Sequence, residues 1–159
     1  MKVKDVMAKD IVTVPPSVSI IDVARQMRDL GLGIIPVCEN GRFRGIVTER
    51  DIVIGAVAPK DHSELIAGML THERYPAVSP GVDIMQAAKL MAEQAVRVLP
   101  VVENGRFVGL VTLEDLAQES IALAAMVFSK TLKPRASGEA GHKGGGRKRP
   151  ELSTTTTEK

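Results

Sequence analysis

Two short stretches combine residue types that can hold a charged ligand: Gly45-Ile46-Val47-Thr48-Glu49-Arg50-Asp51 and Gly109-Leu110-Val111-Thr112-Leu113-Glu114-Asp115. Both follow the pattern Gly-h-h-Thr-x-x-Asp, with h apolar. A Thr followed three residues later by an acid, where a strand runs into a helix, is the arrangement of a capping box. Thr48 and Thr112 would cap their helices, and Asp51 and Asp115 would sit at the positive end of the helix dipole. The same geometry suits a ligand. The free N–H groups and hydroxyl at a helix start favour a phosphate, and an Asp one turn in can accept hydrogen bonds from a ribose diol. Gly45 and Gly109 would let a ligand come close to the backbone. Arg50 adds a cation to the first motif where the second has Glu114, so the two sites should differ and the first should suit a phosphorylated ligand better. On spacing alone the capping and ligand readings both stay open.

The elements that must position these residues are written twice. Pro36-Val37-Cys38-Glu39-Asn40-Gly41-Arg42-Phe43 matches Pro100-Val101-Val102-Glu103-Asn104-Gly105-Arg106-Phe107, each residue pairing with the one 64 later. The offset also pairs Val14 with Val78, Pro16 with Pro80, Val18 with Val82, Ile20 with Ile84, Ala24 with Ala88, Met27 with Met91 and Asp51 with Asp115. Upstream of the first strand the register reads as slipping by one, with Thr71-His72-Glu73-Arg74 replacing a shorter Ala8-Lys9-Asp10. Duplication of this length marks a repeated structural unit.

Each unit opens with a β-rich run, Ile11–Val14 or Tyr75–Val78, and a Pro-containing turn. A helix follows, its apolar face set by Ile20, Val23/Ala24, Met27 and Leu30, and in the copy by Ile84, Ala87/Ala88 and Met91, at the spacing of a half-buried helix. Strands at 33–38 and 97–102 then meet Asn-Gly, the strongest short hairpin signal. Second strands run over 42–47 and 106–111, and helices start at Thr48 and Thr112. The order is β-α-β-β-α, twice. One unit leaves an apolar sheet face uncovered, and two can share a core. The fold expected is α+β, a pseudo-twofold domain of two repeats (1–62 and 63–128) followed by a disordered basic tail (129–159). Ile121–Phe128 would extend the last helix, with exposed Leu, Met and Phe side chains able to cover a partner.

Composition narrows the function classes. Aromatic residues make up only 3% of the 159, with no Trp, which argues against stacking platforms for single-stranded nucleic acid. The lone Cys38 lies in an apolar run and reads as a small buried hydrophobe, so no disulfide or oxidising compartment is called for. Cys38, His62, His72 and His142 are scattered without metal-ligand spacing. His62 and His72 read as exposed polar residues. No phosphate-binding Gly-rich loop or nucleophile elbow occurs. The carboxylates Glu49/Asp51 and Glu114/Asp115 are explained by the helix dipole. No segment has the form of a signal peptide or the ~20-residue apolar run of a membrane span, so a cytoplasmic location is expected. The net charge of +2 divides unevenly. Residues 129–159 hold eight Lys/Arg and three Asp/Glu, and 1–128 hold 13 basic and 16 acidic residues.

The duplicated unit, the opening Val6-Met7, the Pro36-Val37 and Pro100-Val101 pairs, the Asn-Gly hairpins and the two Gly-h-h-Thr-x-x-Asp motifs together resemble a tandem cystathionine β-synthase (CBS) domain pair, or Bateman module, over residues 3–122. Similar pairs regulate inosine monophosphate dehydrogenase, chloride and magnesium transporters and AMP-activated protein kinase, and many short bacterial and archaeal proteins consist of little else. The resemblance implies a sensor for AMP, ADP, ATP or a related adenosyl ligand such as S-adenosylmethionine or NAD, held between the repeats, with no required cofactor. It assigns phosphate and ribose to Thr48 and Asp51 in one site and to Thr112 and Asp115 in the other. It places the base among Thr13, Val14, Ile34, Ile35 and Pro36, or among Ala77, Val78, Val98, Leu99 and Pro100. Arg97 stands where relatives often direct a polar group at the phosphates, or else is a solvated or ion-paired surface residue; Gly33 takes that place in the first unit. A homodimer and an unidentified protein target are further expectations.

Two other classes compete. Lys and Arg within 130–149 could neutralise nucleic-acid phosphates non-specifically, or simply solvate the tail. An enzyme acting on nucleotides would need a base, nucleophile or metal set, and none is evident in the sequence. The expectation is therefore not an enzyme.

Overall fold

Asn-Gly at 40–41 and 104–105 folds the chain back on itself twice. Both residues of each pair take positive φ: 52° and 74° in the first, 52° and 78° in the second. This is what a two-residue hairpin turn requires, and Asn and Gly adopt it at least cost. The computed structural model describes residues 1–59 and 64–131. Its elements are α1 (Val3–Val6), α2 (Ile20–Leu30), β1 (Ile34–Glu39), β2 (Arg42–Thr48), α3 (Glu49–Ile52), α4 (Ala67–Leu70), α5 (Ile84–Gln94), β3 (Val98–Glu103), β4 (Arg106–Thr112), α6 (Leu113–Glu119) and α7 (Ile121–Thr131). A π-helical stretch, Val53–Val57, continues α3.

The two hairpins have the same antiparallel register, Ile34 opposite Thr48 and Val98 opposite Thr112, and each shifts once, leaving Arg44 or Val108 unpaired. They join into one sheet of order β1-β2-β4-β3. The join is narrow: Arg42 faces Arg106, and the Phe43 and Phe107 rings stack beside it, 6.0 Å between centroids. The fold is the expected α+β pair of repeats about a pseudo-twofold axis.

The expected opening strands form only single parallel bridges, Val14 to Val37 and Val78 to Val101. Proline explains why. Val14 N–H donates to the Pro36 carbonyl and Cys38 N–H to the Val14 carbonyl. The next bond in either direction would need an N–H from Pro16 or Pro36, which have none, and Pro80 and Pro100 block the second copy identically.

Helix α2 buries Ile20, Val23 and Met27, as the spacing requires, whereas Leu30 at its end is 49% exposed. Ser19 caps its start, accepting from Asp22 N–H, and Gly31 ends it in the left-handed region. Helix α5 buries Ala87, Ala88, Met91 and Ala92. The last helix is interrupted at Ser120, whose extended φ of −160° breaks α6 from α7. Helix α7 then folds back onto α5 and α6 with Leu123, Ala124 and Val127 buried. The expected exposed face is thus mostly internal: Leu123 is buried and Met126 packs on the core, leaving Phe128 and Ile121 outside. Helix α7 also runs to Thr131, three residues into the expected tail. The rest of the tail, its expected disorder and its cluster at Arg147–Arg149 lie outside the described residues, as do His62 and the 62/63 repeat junction.

The segment preceding each repeat crosses to the other one. Val3 N–H bonds the Val82 carbonyl, Lys4 the Pro80 carbonyl and Ala8 the Leu110 carbonyl; Ala67 bonds Val18, Gly68 bonds Pro16 and His72 bonds Ile46. Val3 is fully buried in the cluster of Val78, Met91, Leu99 and Leu116, while Ala67 lies among Val14, Ile20, Val23 and Ile35. These pairs all differ by 64. The offset therefore holds back to residue 3, with Met7-Ala8-Lys9-Asp10 against Thr71-His72-Glu73-Arg74. The one-residue slip expected from the sequence is not there. Among the described residues no helix is long and apolar enough to cross a membrane.

Candidate functional site

Each strand-to-helix junction builds a complete capping box. Thr48 Oγ1 accepts from Asp51 N–H at 3.2 Å and donates to Asp51 Oδ2 at 2.6 Å, while Thr48 N–H donates to the same Oδ2 at 2.8 Å. Thr112 and Asp115 repeat this at 3.1, 2.8 and 2.7 Å. The capping reading is therefore realised in both copies. It leaves Oδ1 of each aspartate facing away from the cap, so capping and ligand binding are compatible.

The two aspartates differ at that second oxygen. Oδ1 of Asp51 lies 2.6 Å from His72 Nε2. At the second site the crossing segment carries Ala8 in the place of His72, and among the described residues no side chain bonds Oδ1 of Asp115. Burial pushes the Asp51 carboxyl up, but the hydrogen bonds from Thr48 and His72 outweigh it and hold the group below its ordinary value. His72, expected from the sequence to be an exposed polar residue, has a half-exposed ring. Its contact with Asp51 was hidden by the supposed slip; carrying the 64-residue offset upstream places His72 against Ala8 and reveals the asymmetry.

The sheet brings several candidate residues together around each box. Ile34 is directly across from Thr48, and Val98 from Thr112. The start of each last helix is tied back as well: Glu49 N–H bonds the Gly33 carbonyl and Leu113 N–H the Arg97 carbonyl. Val14 and Val78 adjoin Pro36 and Pro100 through the single bridges. Thr13 and Ala77 are exposed at the ends of those bridges, and Ile34 and Val98 are partly exposed. By contrast, the side chains of Val14, Ile35, Val78 and Leu99 belong to the two hydrophobic clusters. Pro36 and Pro100 are buried too, which leaves these positions chiefly backbone to present. Arg50 is exposed on α3. The Arg97 guanidinium lies 5.1 Å from the Phe128 ring centroid, so a cation–π contact ties it to α7. Cys38 is free, and burial pushes its thiol up against a lowering hydrogen bond with Thr13.

Gly45 and Gly109 serve a purpose other than the one read from sequence. A Cβ on Gly45 would overlap the His72 carbonyl, and one on Gly109 the Ala8 carbonyl. The close approach they permit is that of the chain's own crossing segments, not of a ligand. A cavity of about 330 Å³ lies beside the first site, lined by Asp51, Ile54, Leu70 and His72. A neighbouring one of about 490 Å³ is lined by His72, Glu73, Arg74 and Tyr75. Among the described residues no three His, Cys, Asp or Glu side chains are grouped to hold a metal ion.

A duplicated hairpin-and-helix unit with a Thr–Asp box at each second strand's end defines a class of tandem-repeat modules. The model of the CBS domain family matches residues 3–56 and again 61–122, and the chain belongs to that family. Hypoxic response protein 1 of Mycobacterium tuberculosis is 31% identical over 131 residues, 81% of this chain and 92% of that one. The crystal structure of Hypoxic Response Protein I with two coordinated zinc ions superposes with a TM-score of 0.69 at 30% identity, covering 75% of this chain and 98% of that one. The structure of CBSX2 in complex with AMP shares the fold, with a TM-score of 0.67 at 22% identity over 77% of this chain and 97% of that one.

Proposed function

We propose that the protein is a regulatory sensor that binds an adenosine-type nucleotide, the ribose at the Thr–Asp boxes and the base beside the strand positions Ile34 or Val98. It is not an enzyme on this reading, needs no cofactor, and acts in the cytoplasm by passing a shift between its repeats to a partner. The observation that carries it is the geometry of the second box. Asp115 is ordered by Thr112 through one oxygen, and among the described residues no side chain hydrogen-bonds the other, which supports a ligand hydroxyl there. The AMP bound by CBSX2, a protein of the same fold, supports the ligand class. Such signalling requires the nucleotide to favour one repeat arrangement over another.

A homodimer through the helical side fits the exposed apolar residues there. Val53, Ile54 and Val57 on the π-helical stretch are more than half exposed, as is Met69 on α4. A patch of this kind usually marks a contact surface.

A thermal-shift panel with AMP, ADP, ATP, NAD and S-adenosylmethionine tests the reading. A ligand at ~100 times its Kd adds about 2.7 kcal/mol of stability. Each variant, Asp51→Ala and Asp115→Ala, is compared with its own ligand-free baseline, because losing a capping box itself costs about 1 kcal/mol. A rise with one nucleotide that disappears in one variant is expected. No rise with any of the five would remove the sensor reading.

A further inference from the structure

We infer that the two boxes are unequal, and that His72 is the residue that makes them so, withholding Asp51 from a ribose diol and leaving Asp115 as the site that fills first. This rests on the sensor reading and adds to it which site is used and what decides. An ionised carboxylate has about four lone-pair positions. At both boxes the capping Thr takes two on Oδ2. At Asp51 the imidazole takes another on Oδ1, at 2.6 Å. A diol arriving there must displace the ring or share one oxygen with it. At Asp115 the corresponding oxygen makes no side-chain hydrogen bond among the described residues; Ala8, in the place of His72, has no polar side chain to supply one.

The placement of the ring is built into the backbone. His72 N–H bonds the Ile46 carbonyl at 2.8 Å, in the strand that leads into Thr48, and the Gly45 backbone lies against the His72 carbonyl. Ala8 N–H bonds the Leu110 carbonyl likewise, and there Leu110 N–H also returns a bond to the Ala8 carbonyl. The two crossing segments are thus equivalent in path and differ in the side chain they deliver. Charge on neighbouring residues runs the other way, since Arg50 favours a phosphate at the first box and Glu114 disfavours one at the second. Both are exposed and water-screened, whereas the His72–Asp51 contact must be broken directly. His72 acts as a positioning residue, through Asp51.

Isothermal titration of the full chain with AMP decides the matter. Wild type is expected to bind one AMP per chain, lost in Asp115→Ala and kept in Asp51→Ala. His72→Ala should strengthen the first box about tenfold, the equivalent of one hydrogen bond to a charged group, so that a second AMP binds and Asp51→Ala then removes it. His72→Gln, which can still donate to Asp51, should keep the wild-type single site. The reciprocal Ala8→His should weaken the Asp115 site by a similar factor. If the wild-type site is lost in Asp51→Ala and not in Asp115→Ala, or if His72→Ala leaves the stoichiometry unchanged, the inference is wrong while the sensor reading stands. If no form binds AMP, the same titrations are run with the nucleotide that raises the melting temperature; if no form binds any of the five, both fall.

Discussion

Asp51 accepts hydrogen bonds on both carboxylate oxygens, and this ties its ionisation to stability. Burial raises its pKa, the bonds from Thr48 and His72 lower it by more, and the folded group lies below the ordinary carboxylate value. A depressed folded pKa contributes stability above the unfolded pKa, about 3.9 for Asp. That contribution is lost as pH falls through the folded value. Wild type should therefore exceed Asp51→Asn in urea midpoint near neutrality, and the gap should close only as the pH drops below about 4. A gap that stayed constant to the acid end would show that the carboxylate charge contributes nothing. The two Thr–Asp pairs were legible in the sequence because a capping box joins residues three apart. The His72 contact spans 21 positions and depends on which way a linking segment runs.

At the scale of single elements, α2 and α5 are copies with different ends. Helix α2 stops at Gly31, φ 64°, and α5 stops at Ala95, φ 54°, both left-handed. An L-residue there costs roughly 1–2 kcal/mol, offset in part by the chain entropy that Gly would add to the unfolded state. Ala95→Gly should thus raise stability by a net few tenths to about 1 kcal/mol, readable as a higher denaturation midpoint. A midpoint that fell would mean the helix end is not left-handed in solution. The element pattern came through in the sequence wherever local chemistry sets it: Asn-Gly turns, Thr and Ser caps, and apolar spacing on α2 and α5. It failed at Ile11–Val14 and Tyr75–Val78. There the residues favour a strand, but pairing needs N–H groups that Pro16, Pro36, Pro80 and Pro100 lack. It failed again at α7, whose fold-back against α5 is a packing choice made at Ser120.

For the whole molecule, the crossing of α1 and α4 is what makes two repeats one fold. Each hydrophobic cluster is completed by a residue from the segment leading into the other repeat, Val3 in one and Ala67 in the other. Gly45 and Gly109 are where the crossing chains pass closest to the strands. Gly45→Ala and Gly109→Ala should each cost about 1–3 kcal/mol, the usual range for overpacking. Gly81→Ala, where an added Cβ meets nothing within 4 Å, should be nearly neutral. Denaturation of the three variants side by side is the check. Equal, small effects would mean that the segments do not pass over these strands.

The sequence alone determined the duplication, visible as a match at a fixed offset, and the two hairpins, the helix starts at Thr48 and Thr112 and the spacing of both Thr–Asp boxes, since each of these is decided by neighbours within a few residues. Tertiary structure decided what stands beside each box. A short segment that offers one small apolar residue, Val3 in 3–6 or Ala67 in 67–70, can plug either cluster as far as its own residues are concerned. Which one it enters depends on the reach of the linking chain and on the open edges of β2 and β4. That choice brings His72 to Asp51 and Ala8 to the neighbourhood of Asp115, and so makes two near-identical motifs chemically different.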